Sequence, residues 1–273
     1  MYATNDVEVD GRQIRYYRAG EGNPRTLLFL HGSGPGVTAL ANWSGAITRL
    51  SDDFDCIAPD ILGFGDSYHP DEVLDAETML QLRIESLVEL TRTLNLESVD
   101  LVGNSMGGRI SLALLLQHPD VFRRATLMGT GGVAVTVPIT LSRVRNFYDD
   151  PSKATLREMF ANFLHNPAAL GDLTALADER FEVATRDDVR RSHLSTFNGG
   201  PAPFDLNRFR TLAAPVSLVH GREDKVVPVQ ASLSLLEVIP HADAHIIGEC
   251  GHWLQLEKPA EFDALIRSFH SSK

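Results

Sequence analysis

Ten residues constrain the fold more than any others: Val99-Asp100-Leu101-Val102-Gly103-Asn104-Ser105-Met106-Gly107-Gly108. An apolar, strand-like run passes through Gly-Asn-Ser-Met-Gly into Arg109 to Gln117, a helical segment rich in Ala, Leu and Ile. A serine between two glycines is on its own compatible with an ordinary turn. Set between a strand and a helix, it reads as a nucleophile elbow, in which a tight turn lifts the serine hydroxyl out at the top of a sheet.

The rest of the chain supplies the matching rhythm. Val7 to Val9 and Ile14 to Arg18 alternate around Asp10-Gly11 and predict a hairpin. Thr26 to Leu30 is a continuous apolar run, as expected of a strand buried on both faces. Phe54 to Ala58, Val99 to Val102, Ala125 to Met128, Pro215 to Val219 and Ala244 to Ile247 read as further strands. Asn42 to Leu50, Ala76 to Leu94 and Glu261 to Phe269 read as helices between and after them. Alternating strands and helices predict the α/β class: a mostly parallel central sheet with helices on both faces, the hairpin adding antiparallel edge strands. The rhythm lapses between Val135 and Asn207. There Leu156 to Leu164, Leu170 to Glu179 and Arg186 to Phe197 read as helices, punctuated by Pro138, Pro151, Pro167 and Gly199-Gly200-Pro201-Ala202-Pro203. The expected organisation is a core built from 1–134 and 208–273, with 135–207 as a helical lid.

Bulk properties narrow the function. At 273 residues the chain has room for one large α/β domain or two small ones. Its 25 Lys and Arg against 36 Asp and Glu leave a formal charge of −11, which argues against nucleic acid or an anionic membrane as partner. A small acidic molecule needs only a local cation and stays open. Two cysteines are too few for a disulfide framework or a zinc site, and no metal is expected. Cys56 reads as a buried small hydrophobe and Cys250 as a bystander. Neither a signal peptide at Met1 to Asp10 nor a run of about 18 apolar residues is visible, so a cytoplasmic location is expected.

A serine hydroxyl needs a base, and the base needs an orienting acid. Among 10 histidines, His252 in Glu249-Cys250-Gly251-His252-Trp253 is the best base, because it follows the last strand. His118 reads as a helix end and His220 as structural. His165, His193 and His241 fall in contexts that suggest surface positions. Asp224, directly after the strand ending at His220, is the best acid; Glu223 is its adjacent rival, and only one of two successive loop side chains can face the histidine. The glycine-rich loop His31-Gly32-Ser33-Gly34-Pro35-Gly36 has a matching use. An oxyanion needs a backbone N–H from such a loop and another from the residue after the nucleophile, which makes Gly34 and Met106 the candidates.

These residues carry a resemblance. The chain resembles the α/β-hydrolase superfamily over nearly its full length, including the order Ser105, Asp224, His252. Within it the chain resembles the meta-cleavage product hydrolases, which split a carbon–carbon bond in ring-fission products of aromatic degradation. His31-Gly32-Ser33-Gly34-Pro35-Gly36 followed by Asn42-Trp43, and Asn104 before the nucleophile, are the specific elements. Ala58-Pro59-Asp60 and Gly63-Phe64-Gly65-Asp66-Ser67 are superfamily-wide. The resemblance implies a 2-hydroxy-6-oxohexa-2,4-dienoate substrate, ketonised and then attacked at C6 by Ser105. It further implies that Arg180 meets the substrate carboxylate, that Ser33, Asn42 and Asn104 bind the same polar end, and that Trp253 packs beside it. It implies no cofactor and a homo-oligomer, dimer or higher. The C6 substituent is left open, since the lid is the part least matched. A carboxylesterase or lactonase would use the same triad but would not need Arg180, Asn42 and Asn104 to converge.

Overall fold

The computed structural model describes residues 1–271, so the last two positions of the expected core segment 208–273 lie outside the described residues. Eight strands form one sheet: β1 (Ala3–Val9), β2 (Arg12–Ala19), β3 (Thr26–Leu30), β4 (Asp55–Pro59), β5 (Val99–Asn104), β6 (Phe122–Met128), β7 (Val216–Gly221) and β8 (Ala242–Ile247). Their spatial order is β1-β2-β4-β3-β5-β6-β7-β8. The hairpin pairs antiparallel within itself and onto β4, and every other neighbour is parallel. Strand alternation sends Leu28 and Leu30 of β3 into one apolar cluster and Leu27 and Phe29 into another on the opposite face.

The helices are α1 (Ala39–Leu50), α2 (Ala76–Thr93), α3 (Met106–Gln117), α4 (Ile139–Arg145), α5 (Lys153–Phe163), α6 (Leu173–Ala184), α7 (Asp187–Phe197), α8 (Gln230–Val238), α9 (Leu254–Glu257) and α10 (Pro259–His270). Asp60, just past β4, accepts the Ala39 amide at 2.6 Å and the Asp66 amide at 3.2 Å. It thereby fixes the start of α1 against the loop that runs to Ser67.

Between β6 and β7 the described residues contain helices and no strand. The neck of this insertion is tied by the Phe204 amide donating to Gly132 O at 2.8 Å. Two local readings shift. α6 starts at Leu173 rather than Leu170, because Gly171 takes φ +77° and Asp172 caps the helix by accepting the Thr174 amide at 2.8 Å. α4, with Pro138 before it, carries too short an apolar pattern to stand out in the sequence. The insertion has its own apolar cluster, built on Leu156, Phe160 and Phe163, and Val226, Val227 and Trp253 belong to it. The insertion therefore packs directly on the loops that carry Asp224 and His252. No helix among the described residues is long and apolar enough to cross a membrane.

Candidate active site

Ser105 sits between β5 and α3 with φ +56° and ψ −110°, a conformation L-residues avoid. The turn is pinned by the Ser105 amide donating to Met128 O at 2.8 Å and by Ser105 O accepting from Gly131 at 3.0 Å. Gly107 is obligatory: a Cβ there would lie 2.0 Å from Leu30 O. Met106 opens α3, where the first N–H groups have no partner inside the helix.

Asp224 and His252 meet from separate loops. His252 Nδ1 lies 2.6 Å from Asp224 Oδ2, and both side chains are almost fully buried. Asp224 Oδ1 accepts the Val226 and Val227 amides at 2.7 and 2.9 Å. His220 Nε2 approaches Asp224 Oδ2 at 3.4 Å, its Nδ1 lying 2.7 Å from the Ser232 hydroxyl. Burial works to raise the Asp224 carboxyl, but His252 and His220 together hold it well below the usual carboxylate range. A charged Asp224 fixes the proton on His252 Nδ1 and leaves Nε2 able to take one. Gly129, at φ +49°, makes room for the pair, since a Cβ there would lie 2.8 Å from His252 Nδ1. Glu223 is occupied elsewhere, accepting the Cys250 amide at 3.1 Å and the Arg222 guanidinium at 2.8 Å. Burial pushes the Cys250 thiol up to about 12, far from a thiolate nucleophile.

Two spaces open at Ser105. A slot of about 20 Å³ is lined by Ser33, Gly34, Asn42, Asn104, Ser105, His252 and Trp253, together with Leu141 and Val144 of α4. Asn104 is held by its Nδ2 donating to Met128 O and His252 O, both at 3.3 Å. The Oδ1 atoms of Asn42 and Asn104 are buried without a hydrogen-bond partner. A cavity of about 620 Å³ adjoins, lined by Met106, Thr130, Val135, Leu141 and Phe197 among others, and it shares Ser33, Ser105, Leu141 and Val226 with the slot. Arg180 of α6 does not line either space directly. It is buried, its guanidinium lies 5.7 Å over the Phe160 ring, and Phe160 in turn packs on Trp253 at 5.6 Å. Its Nε has no partner, and burial pushes its guanidinium below its ordinary range.

The family model described as alpha/beta hydrolase fold matches residues 25–259. The chain is similar to the 2-hydroxymuconate semialdehyde hydrolase of Pseudomonas sp. strain CF600, with 36% identity over 97% of this chain and 92% of that one. It is also similar to the 2-hydroxy-6-oxo-2,4-heptadienoate hydrolase of Pseudomonas putida, with 33% identity over 96% and 94%. The solved structure of the 2-hydroxy-6-oxo-6-phenylhexa-2,4-dienoate hydrolase from Rhodococcus sp. strain RHA1 superposes with a TM-score of 0.95 at 29% identity, covering 100% of this chain and 99% of that one. The chain belongs to the meta-cleavage product hydrolases, within the alpha/beta hydrolase fold.

In this hydrolase the structure also shows what the linear sequence hides. His193 is not at the surface: it is buried in α7 between the rings of Tyr148 at 4.9 Å and Phe197 at 5.1 Å. The insertion has a core of its own, so a polar residue on the inner face of α7 is buried with it, and burial lowers the His193 imidazole to about 4. Arg83 of α2 is equally hidden, with Arg109 and Arg145 beside it on the large cavity. A signal for Arg83 existed. It stands in the apolar stripe Met79, Arg83, Leu87, Leu90, where helical spacing places buried residues.

Proposed function

We propose that the chain hydrolyses the C5–C6 bond of a 2-hydroxy-6-oxohexa-2,4-dienoate, a reaction of the class its family performs on carbon–carbon bonds. Ser105 acts as nucleophile, His252 as general base and acid, and Asp224 as the orienting carboxylate. The amides of Gly34 and Met106 receive the oxyanion. Ser33, Asn42, Asn104 and Arg180 hold the dienoate end, with Trp253 packed beside it.

The dienol is first ketonised to the 2,6-dioxo form. Ser105 Oγ adds to C6 while its proton passes to His252, giving an alkoxide stabilised by the two amides. Collapse of that alkoxide breaks C5–C6, and the electron pair is delocalised through C4 and C3 onto the C2 oxygen. Protonation there releases 2-hydroxypenta-2,4-dienoate and leaves an acyl-Ser105. Water, giving its proton to His252, then frees the carboxylic acid and restores the hydroxyl.

One observation carries this reading over ester hydrolysis. Two buried asparagine oxygens, on Asn42 and Asn104, stand unpaired in the slot beside His252. An unpaired buried acceptor costs about 1–3 kcal/mol, and the enol hydroxyl of a dienoate is a donor that would satisfy one; a simple ester offers no donor. The test is decay of the visible absorbance of a dienoate ring-fission product alongside turnover of p-nitrophenyl esters. Rapid loss of the dienoate absorbance is expected. Fast ester turnover with a stable dienoate would replace the reading with a carboxylesterase or lactonase. For assembly we propose a homo-oligomer, with sedimentation velocity expected to give at least a dimer.

A further inference from the structure

The cavity beyond Ser105 is charged in a way the dienoate chemistry does not use. Arg83, Arg109 and Arg145 line it, and no Asp or Glu is among the described residues that do. In a chain of net charge −11 this is a local reversal of sign. Arg83 is 2% exposed. Its Nε donates to Leu62 O at 3.0 Å, Nη2 to the Thr196 hydroxyl at 2.8 Å, and Nη1 reaches only the Met106 thioether at 3.3 Å. Each of these acceptors is neutral, and among the described residues no carboxylate pairs with Arg83 or Arg145. Arg109, 8% exposed, pairs at 3.2 Å with Glu77, which is itself largely exposed. The Thr130 hydroxyl and the Nε atoms of Arg109 and Arg145 are buried without partners. A buried cation without a counter-ion is costly, and Arg83 is one, facing a cavity that Arg109 and the half-buried, carboxylate-free Arg145 also line; that clustering has the electrostatics of an anion site.

We propose that the C6 substituent of the substrate ends in a second carboxylate, received in the large cavity by Arg83 and Arg109. The inference rests on the dienoate reading above and adds the chemistry of the far end. Position supports it. Arg83 touches the side chain of Met106, the residue after the nucleophile, and lines the same cavity as Ser105. The volume, about 620 Å³, falls in the range of small-molecule sites and accommodates a substituent well beyond a methyl group.

The test compares two dienoates that differ only in the C6 side chain, carboxyethyl against propyl. The wild-type enzyme is expected to favour the carboxyethyl substrate by about 30-fold or more in kcat/KM, the scale of one desolvated charge pair. Succinate, the acid released from it, is expected to inhibit far better than butyrate. In Arg83→Met and Arg109→Met the ratio between the substrates collapses towards one, while Arg143→Met, on the outer side of α4, leaves it as in wild type. Arg83→Lys, which keeps the charge, retains part of the preference and covers the case in which Arg83→Met does not fold. Equal turnover of both substrates with equal inhibition by both acids overturns the proposal and leaves the dienoate reading standing. Failure to cleave either dienoate overturns the reading beneath it.

Discussion

On one side of Ser105 the slot offers about 20 Å³ and two asparagine oxygens without partners; on the other, about 620 Å³ carries three arginines and, among the described residues that line it, no acid. The two spaces also differ in origin. The slot is floored by residues at the carboxyl ends of β3 and β5 and after β8, where a parallel sheet presents its ligands. The cavity is walled by α2, by the loop after β6 and by the insertion. Strand ends hold a side chain more rigidly than loops and surface helices do. On the proposed reading, the dienoate end of the substrate belongs to the slot and the C6 substituent to the cavity. At about 20 Å³ the slot has room for roughly one water.

The largest effect is expected at the nucleophile, which lines both spaces. Ser105→Ala should lower dienoate turnover by about four to six orders of magnitude, with dienoate binding retained, because neither space loses a recognition group. Stopped-flow spectra of the variant with substrate check this. Turnover within tenfold of wild type would mean that the nucleophile lies elsewhere.

Next comes Arg180, the cation proposed to meet the dienoate carboxylate. Arg180→Met should reduce kcat/KM for every dienoate by about 100-fold or more, whatever its C6 substituent, on the scale of a truncated buried charge pair. That uniformity separates it from Arg83 and Arg109, whose variants act on one substrate only. A loss for Arg180→Met that varied with the C6 substituent would break the division between slot and cavity.

Acid should strain both sides through neutral histidines. His31 precedes Gly32, which lines the slot: its Nδ1 lies 2.8 Å from Gly32 O, and its Nε2 accepts the Ile61 amide at 3.1 Å. Burial lowers His31 to about 3 and His193, on the cavity side, to about 4. Each folded pKa is below the unfolded value, so the unfolded state binds the extra proton, and the stability is lost as pH falls below about 6.5. From pH 7 to pH 5 each costs about 2 kcal/mol. His193→Gln should remove its share, flattening the loss between those two pH values by about 2 kcal/mol in urea unfolding. An unchanged slope would mean that His193 does not stay neutral.

How far the sequence disclosed this follows from the range of the interactions. The elbow was legible because strand, turn and helix around Ser105 are consecutive and each has a local signature. Asp224 and His252 could be placed because parallel strands deliver their loops to one end of the sheet, even across the insertion. The insertion resisted. Its helix limits depended on caps such as Asp172, and the burial of His193 depended on a third apolar cluster assembled from distant segments. The large cavity was invisible for the same reason, since its arginines come from α2, α3 and α4 and share no motif. Arg83 alone left a trace, as a charge in an apolar stripe.

The smallest effect tests the strain held where slot and cavity join. Ser105 keeps φ +56° and ψ −110°, at a cost of about 1–3 kcal/mol for a residue with a Cβ. Ser105→Gly removes that cost and gives back about 0.5–1 kcal/mol through the greater freedom of glycine in the unfolded chain. The net expectation is a gain of about 1 kcal/mol, or roughly 2 °C in melting temperature for a chain of this size. Ser105→Ala keeps the Cβ and should melt within a degree or so of wild type. The difference between the two inactive variants isolates the backbone from the chemistry. Equal melting temperatures would mean that the turn stores no strain and that Ser105 is presented to both spaces by its hydrogen bonds to Met128 and Gly131 alone.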